Sequence, residues 1–184
     1  LGRWLLSFLT NRVQTILVNG SKSDPQKVLS GVPQGSVLGP LLFLILIGDI
    51  DQTIVSSFLS SFADDTRIGK EISTIEDTQL LQSDLNKVYD WALNNNMEFN
   101  SDKFEVIRYK GKKSHTLDDT SYTSNIGNVI EEKSQLKDLG VILSNDATFK
   151  QHISQKVTSL KAKIGWVMRT FHTRDKQPML TLWK

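Results

Sequence analysis

The chain contains no cysteine. Disulfides, thiolate catalysis and cysteine-built zinc sites are therefore excluded, and a reducing compartment is permitted. Histidine is nearly as scarce: His115, His152 and His172 are scattered, which argues against a histidine metal site. Long hydrophobic runs are missing too. The longest, VLGPLLFLILI from Val37 to Ile47, falls well short of the roughly 20 residues that cross a bilayer, so no membrane partner is expected.

What remains is ordinary for a folded core: 184 residues, 39% hydrophobic and 23% charged. The opening LGRWLLSFLTNR, starting at Leu1, reads as the end of an amphipathic helix without a basic leader, so a piece of a longer chain is expected. The net charge is +2, but residues 144–184 carry eight Lys/Arg against Asp146 and Asp175, a local +6 that leaves −4 for residues 1–143. A basic C-terminal end suits a polyanion, although a solvated basic helix is the competing reading.

Pattern and turn residues predict the elements. VQTILVNG (Val13–Gly20) and KVLSGV, around a turn-like SKSDP, predict a β-hairpin. The apolar run to Ile50 predicts a buried helix with Pro40 in its first turn. TIVSSFLSSFADDTRIGKEI predicts a second hairpin around an Asp pair. From Thr74 to Asn94, Leu81, Leu85, Val88 and Ala92 recur at helical spacing, with Trp91 beside them. KFEVIRY and LKDLGVIL predict strands, with a short hairpin near SNIGNVI. In the last segment Phe149, Ile153, Val157, Leu160, Ile164, Val167 and Phe171 fall within an arc of about 80° on a helical wheel. Lys156 and Lys163 flank one edge of that stripe, and Lys150 and Lys161 the other.

Two stretches carry candidate chemistry. Adjacent Asp64 and Asp65 repel one another unless solvent, a proton or a cation relieves them. Asp is also common in plain turns, so the pair alone is weak evidence. The sharper reading is a magnesium site, since hard divalent ions take carboxylate oxygens and share their remaining positions with water and phosphate. Neighbouring side chains on a strand point to opposite faces, so the two would not ligate equally, and a third carboxylate is required. The second stretch, SGVPQGSVLGP, sets Gly31, Gly35 and Gly39 around Pro33 and Gln34 ahead of a helix start. That pattern allows close backbone approach to a ligand, or is simply a turn; it lacks the Lys and Ser/Thr of a phosphate loop.

Taken in order, SGVPQGSVLGPLLFLILIGDI, FADD, WALNNNMEFNSDKFEVIRY and LKDLGVIL resemble the reverse transcriptases of non-LTR retrotransposons, particularly the jockey-like group, over essentially the whole chain. The resemblance implies an α+β polymerase palm over residues 1–145, an antiparallel sheet backed by helices, then the start of a helical thumb over 146–184, with the fingers missing. It implies magnesium-assisted transfer of deoxynucleotides to a primer 3′-hydroxyl, with RNA template, DNA primer and deoxynucleoside triphosphates as partners. Asp64 and Asp65 inherit the catalytic metal-ligand roles, and Phe62 and Ala63 complete their box. Gln34 and Gly35, shaped by Pro33 and Ser36, match the nucleotide pocket. Lys103 matches a lysine near the pyrophosphate that can act as a general acid; a solvated loop lysine is the alternative. Leu139 and Gly140 match the primer grip, and Lys156, Lys161 and Lys163 would neutralise duplex phosphates from the thumb.

The departures matter. The family's first catalytic Asp has no counterpart, and Asp49 and Asp51 align with the end of the apolar helix rather than with a ligand position. Phe104 stands where relatives commonly carry a hydroxyl residue, and Gly48 where they carry Asn. The isolated chain is therefore expected to be inactive, with a non-enzymatic retrotransposon remnant or nucleic-acid-binding module as the alternative.

Overall fold

The computed structural model describes residues 1–97, 99, 100, 103–109, 120–171 and 181. They divide between two compact units, one drawn from residues 1–103 and 116–129, the other from residues 104–115 and 130–184.

In the first unit, α1 (Gly2–Leu9) stacks Trp4 on Phe8, one turn apart, at 5.3 Å between ring centres. Arg12 then ties three carbonyls together: Nε donates to Leu9 O at 2.9 Å, and Nη2 to Ser30 O and Gly31 O at 3.1 and 2.6 Å. A hairpin forms between those ends as expected, but its turn falls at Asn19-Gly20 and not at SKSDP, because Ser21-Lys22 pair as a strand. Its inner strands β2 (Leu17–Val18) and β3 (Ser21–Lys22) flank Asn19-Gly20, both at positive φ, as a tight turn that follows the twist of the strands requires. The outer strands β1 (Val13–Gln14) and β4 (Gln26–Lys27) pair one residue out of step. A bulge absorbs the difference, and Ser23 Oγ accepts the Ile16 N–H at 2.9 Å there.

The apolar run forms α2 (Gly39–Ile47), with Pro40 in its first turn. It is a helix as expected but not a buried one: only Gly39 and Ile47 are buried, whereas Leu41, Leu44 and Ile45 are more than half exposed. A helix apolar all round buries only the side that meets a partner, and α2 meets the core through Phe43 and Ile47. A short 3₁₀ turn (Ile50–Thr53) leads to β5 (Phe58–Phe62) and β6 (Asp65–Gly69), an antiparallel hairpin, and then to α3 (Ile75–Asn94). Thr74 and Asp77 form a reciprocal capping box at the start of α3. Ile47, Ile50, Val88, Trp91 and Ala92 make the core, and Leu59 and Ile68, a cross-strand pair of the hairpin, pack against it. Gln82 on α3 exchanges hydrogen bonds with Thr123, at 2.8 and 2.9 Å, and so holds the small turn at residues 123–129 expected from SNIGNVI.

Asp84 is the most buried polar side chain among the described residues, 1% exposed. Its oxygens accept Val55 N–H at 3.3 Å, Ser56 N–H at 2.8 Å and Lys87 Nζ at 2.8 Å. A buried charge is tolerated only with such partners.

In the second unit the strand expected over KFEVIRY shrinks to β7 (Glu105–Val106), which pairs in parallel with β8 (Glu131–Glu132). The ladder runs only as far as its partner does, and Arg108 closes it through an ion pair with Glu132 at 3.0 Å. β9 (Gln135–Asp138) and β10 (Val141–Ser144) form an antiparallel hairpin. In the loop that follows, Ser144 Oγ donates to Thr148 O at 2.7 Å and Asp146 Oδ1 accepts Thr148 N–H at 3.0 Å. α4 (Lys150–Thr170) carries the predicted stripe, and His152 Nδ1 accepts Ile142 N–H at 3.2 Å. None of its residues is buried. The class is α+β as expected, but among the described residues the strands pair two by two, not in one sheet.

Burial pushes the Asp84 carboxyl up, yet hydrogen bonds, chiefly those from Lys87 and Ser56, outweigh it and hold the group at about 2, below its ordinary 3.8. A depressed carboxyl stabilises the fold above its unfolded pKa and loses that contribution as pH falls through the folded one. About 2 kcal/mol should therefore be present above about pH 5 and disappear towards pH 2. Asp77 and Asp146, lowered chiefly by hydrogen bonds from Ser73 and Ser144, act in the same direction. Urea midpoints measured from pH 7 to pH 2 should fall with acid, and less steeply in Asp84→Asn than in the native chain.

Candidate functional site

The last ladder pair of the β5–β6 hairpin is Phe62↔Asp65, so Ala63 and Asp64 are its two-residue loop, with Ala63 in the left-handed region at φ 54°. Paired residues share a face and successive residues alternate. Leu59 and Ile68 face the core, which places Asp65, with Phe62, Ser60 and Arg67, on the opposite face. Asp64 sits in the loop itself. Both carboxylates are exposed, and neither makes a hydrogen bond or ion pair among the described residues. Two unneutralised carboxylates at one tip create negative potential that a small hard cation would relieve. Among the described residues no group of three or more His, Cys, Asp or Glu is arranged to hold a metal ion.

The Pro33–Ser36 segment is a closed turn. Ser36 Oγ donates to Pro33 O at 2.7 Å and accepts the Gly39 N–H at 2.9 Å, which joins the turn to the first residue of α2. Gly39 has no room for a side chain, since an added Cβ would lie 2.7 Å from Pro33 O. Its close approach is therefore to the chain's own backbone. Gly35, at φ 77° with open space around it, turns the exposed tip beside Gln34, while Pro33 and Ser36 are half-buried. Lys103 is exposed, and its N–H donates to Asn100 O at 3.0 Å.

α2 and the Asp-bearing hairpin share one core, through Phe43 and Ile47 on one side and Leu59 and Ile68 on the other. Gln34-Gly35 and Asp64-Asp65 thus belong to elements packed together, although no direct hydrogen bond or ion pair links them or Lys103 among the described residues. Asp49 accepts Trp91 Nε1–H at 2.9 Å, a structural use that agrees with leaving it out of the ligand set. In the second unit, Leu139 and Gly140 are the loop of the β9–β10 hairpin, at φ 45° and 83°. Two positive φ values define the turn that Asn-Gly ordinarily occupies. Lys156, Lys161 and Lys163 are exposed along α4 and make no ion pair among the described residues.

Sequence reasoning does not single out Asp84 for this region. A signal is nonetheless there: Asp84 lies one helical edge from Leu81 and Val88 and in line with Trp91, so a charge sits at the border of the apolar face.

Residues 2–143 match the reverse transcriptase (RNA-dependent DNA polymerase) family. The chain belongs to that family. It is 29% identical over 173 residues to the RNA-directed DNA polymerase from mobile element jockey of Drosophila funebris, covering 88% of this chain and 18% of that protein. The jockey protein of Drosophila melanogaster is also 29% identical, over 92% of this chain and 19% of its own length. The probable RNA-directed DNA polymerase from transposon X-element of Drosophila melanogaster is 29% identical over 98% of this chain and 20% of its own. The chain thus spans about a fifth of the length of these relatives. No solved structure gives a significant match. The reverse transcriptase match takes in the Pro33–Ser36 turn and both Asp- and Leu-tipped hairpins, ends inside β10 and leaves α4 outside.

A Leu in the left-handed region costs roughly 1–2 kcal/mol, and Asn-Gly fits the same turn with little strain. Leu139→Asn should therefore raise stability by about 1 kcal/mol, read as an upward shift of the thermal midpoint; a fall would show that the Leu side chain packs usefully there.

Proposed function

We propose that this chain is the palm, residues 1–145, and the first thumb helix, residues 146–184, of an RNA-directed DNA polymerase that extends a DNA primer on an RNA template from deoxynucleoside triphosphates. The observation that carries it is the Asp64-Asp65 tip: unpartnered carboxylates on a tight β-turn of a reverse transcriptase chain. The donor set fits magnesium in kind, being hard, exposed and anionic, and supplies two of the three carboxylates such a site uses. When bound, the cation supplies positive charge against the triphosphate and activates the primer hydroxyl.

This chain's own residues do the rest. Asp64, in the loop, and Asp65, on the face of the hairpin away from the core, are the residues that would hold the cation. Gln34 and Gly35 offer an exposed, glycine-lined edge to the incoming nucleotide, and the Ser36 bridge between Pro33 and Gly39 keeps that edge rigid. Lys103 gives a proton to the leaving pyrophosphate. The Leu139-Gly140 turn supports the primer end, and Lys156, Lys161 and Lys163 neutralise duplex phosphates without reading sequence. Catalysis of this kind is mainly alignment and charge stabilisation. A site of this kind uses a third carboxylate, and with none grouped with Asp64 and Asp65 among the described residues the isolated chain is expected to be inactive. The rival reading, a non-enzymatic nucleic-acid-binding module, draws on the absence of a three-carboxylate cluster among the described residues.

Manganese is a usable probe of the metal reading. Titrated into the labelled chain, it should broaden the amide resonances of residues 62–66 first, and Asp64→Asn with Asp65→Asn should abolish the effect. Broadening that survives both substitutions, or that starts elsewhere, overturns the site and leaves the binding-module reading.

The lysines are tested by salt. Removing one charge that neutralises a phosphate should flatten the slope of log affinity against log salt for an RNA–DNA hybrid by about 0.9, so replacing Lys156, Lys161 and Lys163 by Ala should flatten it by up to about 3. An unchanged slope returns them to a solvated face.

A further inference from the structure

We propose that Asp84 is a positioning residue for the acidic tip: it anchors the root of the β5–β6 hairpin to α3 and so fixes where Asp64 and Asp65 stand. The inference rests on reading that tip as the metal site. The root is tied at both feet. Before β5, Val55 and Ser56 donate their amides to the two oxygens of Asp84. After β6, Lys70 Nζ donates to Ser56 O at 3.0 Å and lies 3.5 Å from Asp77 Oδ1, the capping carboxylate of α3. The incoming and outgoing strands are thereby joined to each other through Ser56 and to two turns of one helix.

Beyond the root, the hairpin packs on the core through Leu59 and Ile68, its partly buried cross-strand pair among the described residues. From Phe58 to Phe62 the strand extends roughly 13 Å at its usual rise of about 3.3 Å per residue, and the Ala63-Asp64 loop lies beyond its end. A small rotation at the foot therefore becomes a large displacement at the tip, and apolar contact at one pair resists rotation poorly. The paired amides on Asp84 resist it well, because each oxygen accepts one directed main-chain N–H, Val55 on Oδ1 and Ser56 on Oδ2. Lys87 Nζ, at 2.8 Å, fixes the carboxylate in turn. Asp84 touches neither the tip nor any substrate position; its effect passes through the strand.

The absence of native cysteine makes a distance measurement direct. Spin labels on Ser61→Cys, near the tip, and Asp90→Cys, exposed on α3, report tip placement without any metal. The native background should give a narrow distance distribution, Asp84→Asn a broadened and shifted one, and Leu85→Ala, a core truncation on the same helix that leaves the root ties in place, a narrow one despite its lower stability. An unchanged distribution in Asp84→Asn overturns the proposal, as does equal broadening in Leu85→Ala, which would make the effect one of general loosening. If Asp84→Asn does not fold, Lys70→Gln cuts the tie between the feet and should broaden the same distribution.

Manganese affinity at residues 62–66 supplies the second reading: a drop of about tenfold in Asp84→Asn supports positioning, and an unchanged affinity overturns it. Failure of manganese to bind the native chain counts against the metal reading alone, and the label distances still decide the anchor.

Discussion

A carboxylate taken out of water must be met by donors, and the first unit is arranged around the place where Asp84 meets them. Two of the three are main-chain amides of the segment entering β5, so the charge joins a helix to a hairpin instead of decorating either. Apolar packing at Leu59 and Ile68 gives that hairpin attraction without direction; the amide–carboxylate contacts give it direction. Removing a donor leaves the buried carboxylate less than fully satisfied, which is why the anchor is a single point on which much depends.

Elsewhere the supports are local. α1, the β1–β4 hairpin and α4 contribute no buried residue, and their order comes from short-range devices: the Arg12 guanidinium on three carbonyls, the Asn19-Gly20 turn, and the Ser144–Asp146–Thr148 hydrogen bonds. Two-stranded ladders are marginal by themselves, and the three in the first unit, not joined into a sheet among the described residues, place most of that unit's cohesion on α3 and its core.

What can be read in advance follows the range of the signal. α3 and α4 are legible because a helical stripe repeats over about three turns in the first and about six in the second; the residue bounds of α3 follow Thr74 and the asparagines after Ala92 almost to the residue. The hairpin that carries the Asp pair is legible from turn chemistry and the LKDLGVIL hairpin from the resemblance; the first hairpin of the chain is legible as a hairpin, but its turn lies at Asn19-Gly20 and not at SKSDP. The exposure of α2 is not, since composition gives a segment's apolarity but not the number of neighbours that will cover it. Nor is the parallel β7–β8 pair, which joins residues about two dozen apart through a pairing no local pattern encodes. At the site, residue types are legible and their support is not: the Asp doublet announces itself, whereas Asp84 and Lys70 acquire meaning only once the chain has brought Ser56 between them.

The turns themselves separate structure from use. At Asn19-Gly20 the left-handed backbone is filled by the residues that tolerate it best. At the two tips assigned contacts with cation and primer, the left-handed positions are held by Ala63 and Leu139, whose Cβ atoms make that conformation costly. Strain of this kind persists where surrounding structure over-determines it, and the ladders on either side of each loop, Phe62↔Asp65 and Asp138↔Val141, do so. A strained tip on a fixed ladder presents one conformation to its surroundings instead of several. For Asp64-Asp65 that means two carboxylates offered at a set separation, with the ordering cost met during folding and not on binding, provided the root of the hairpin does not move.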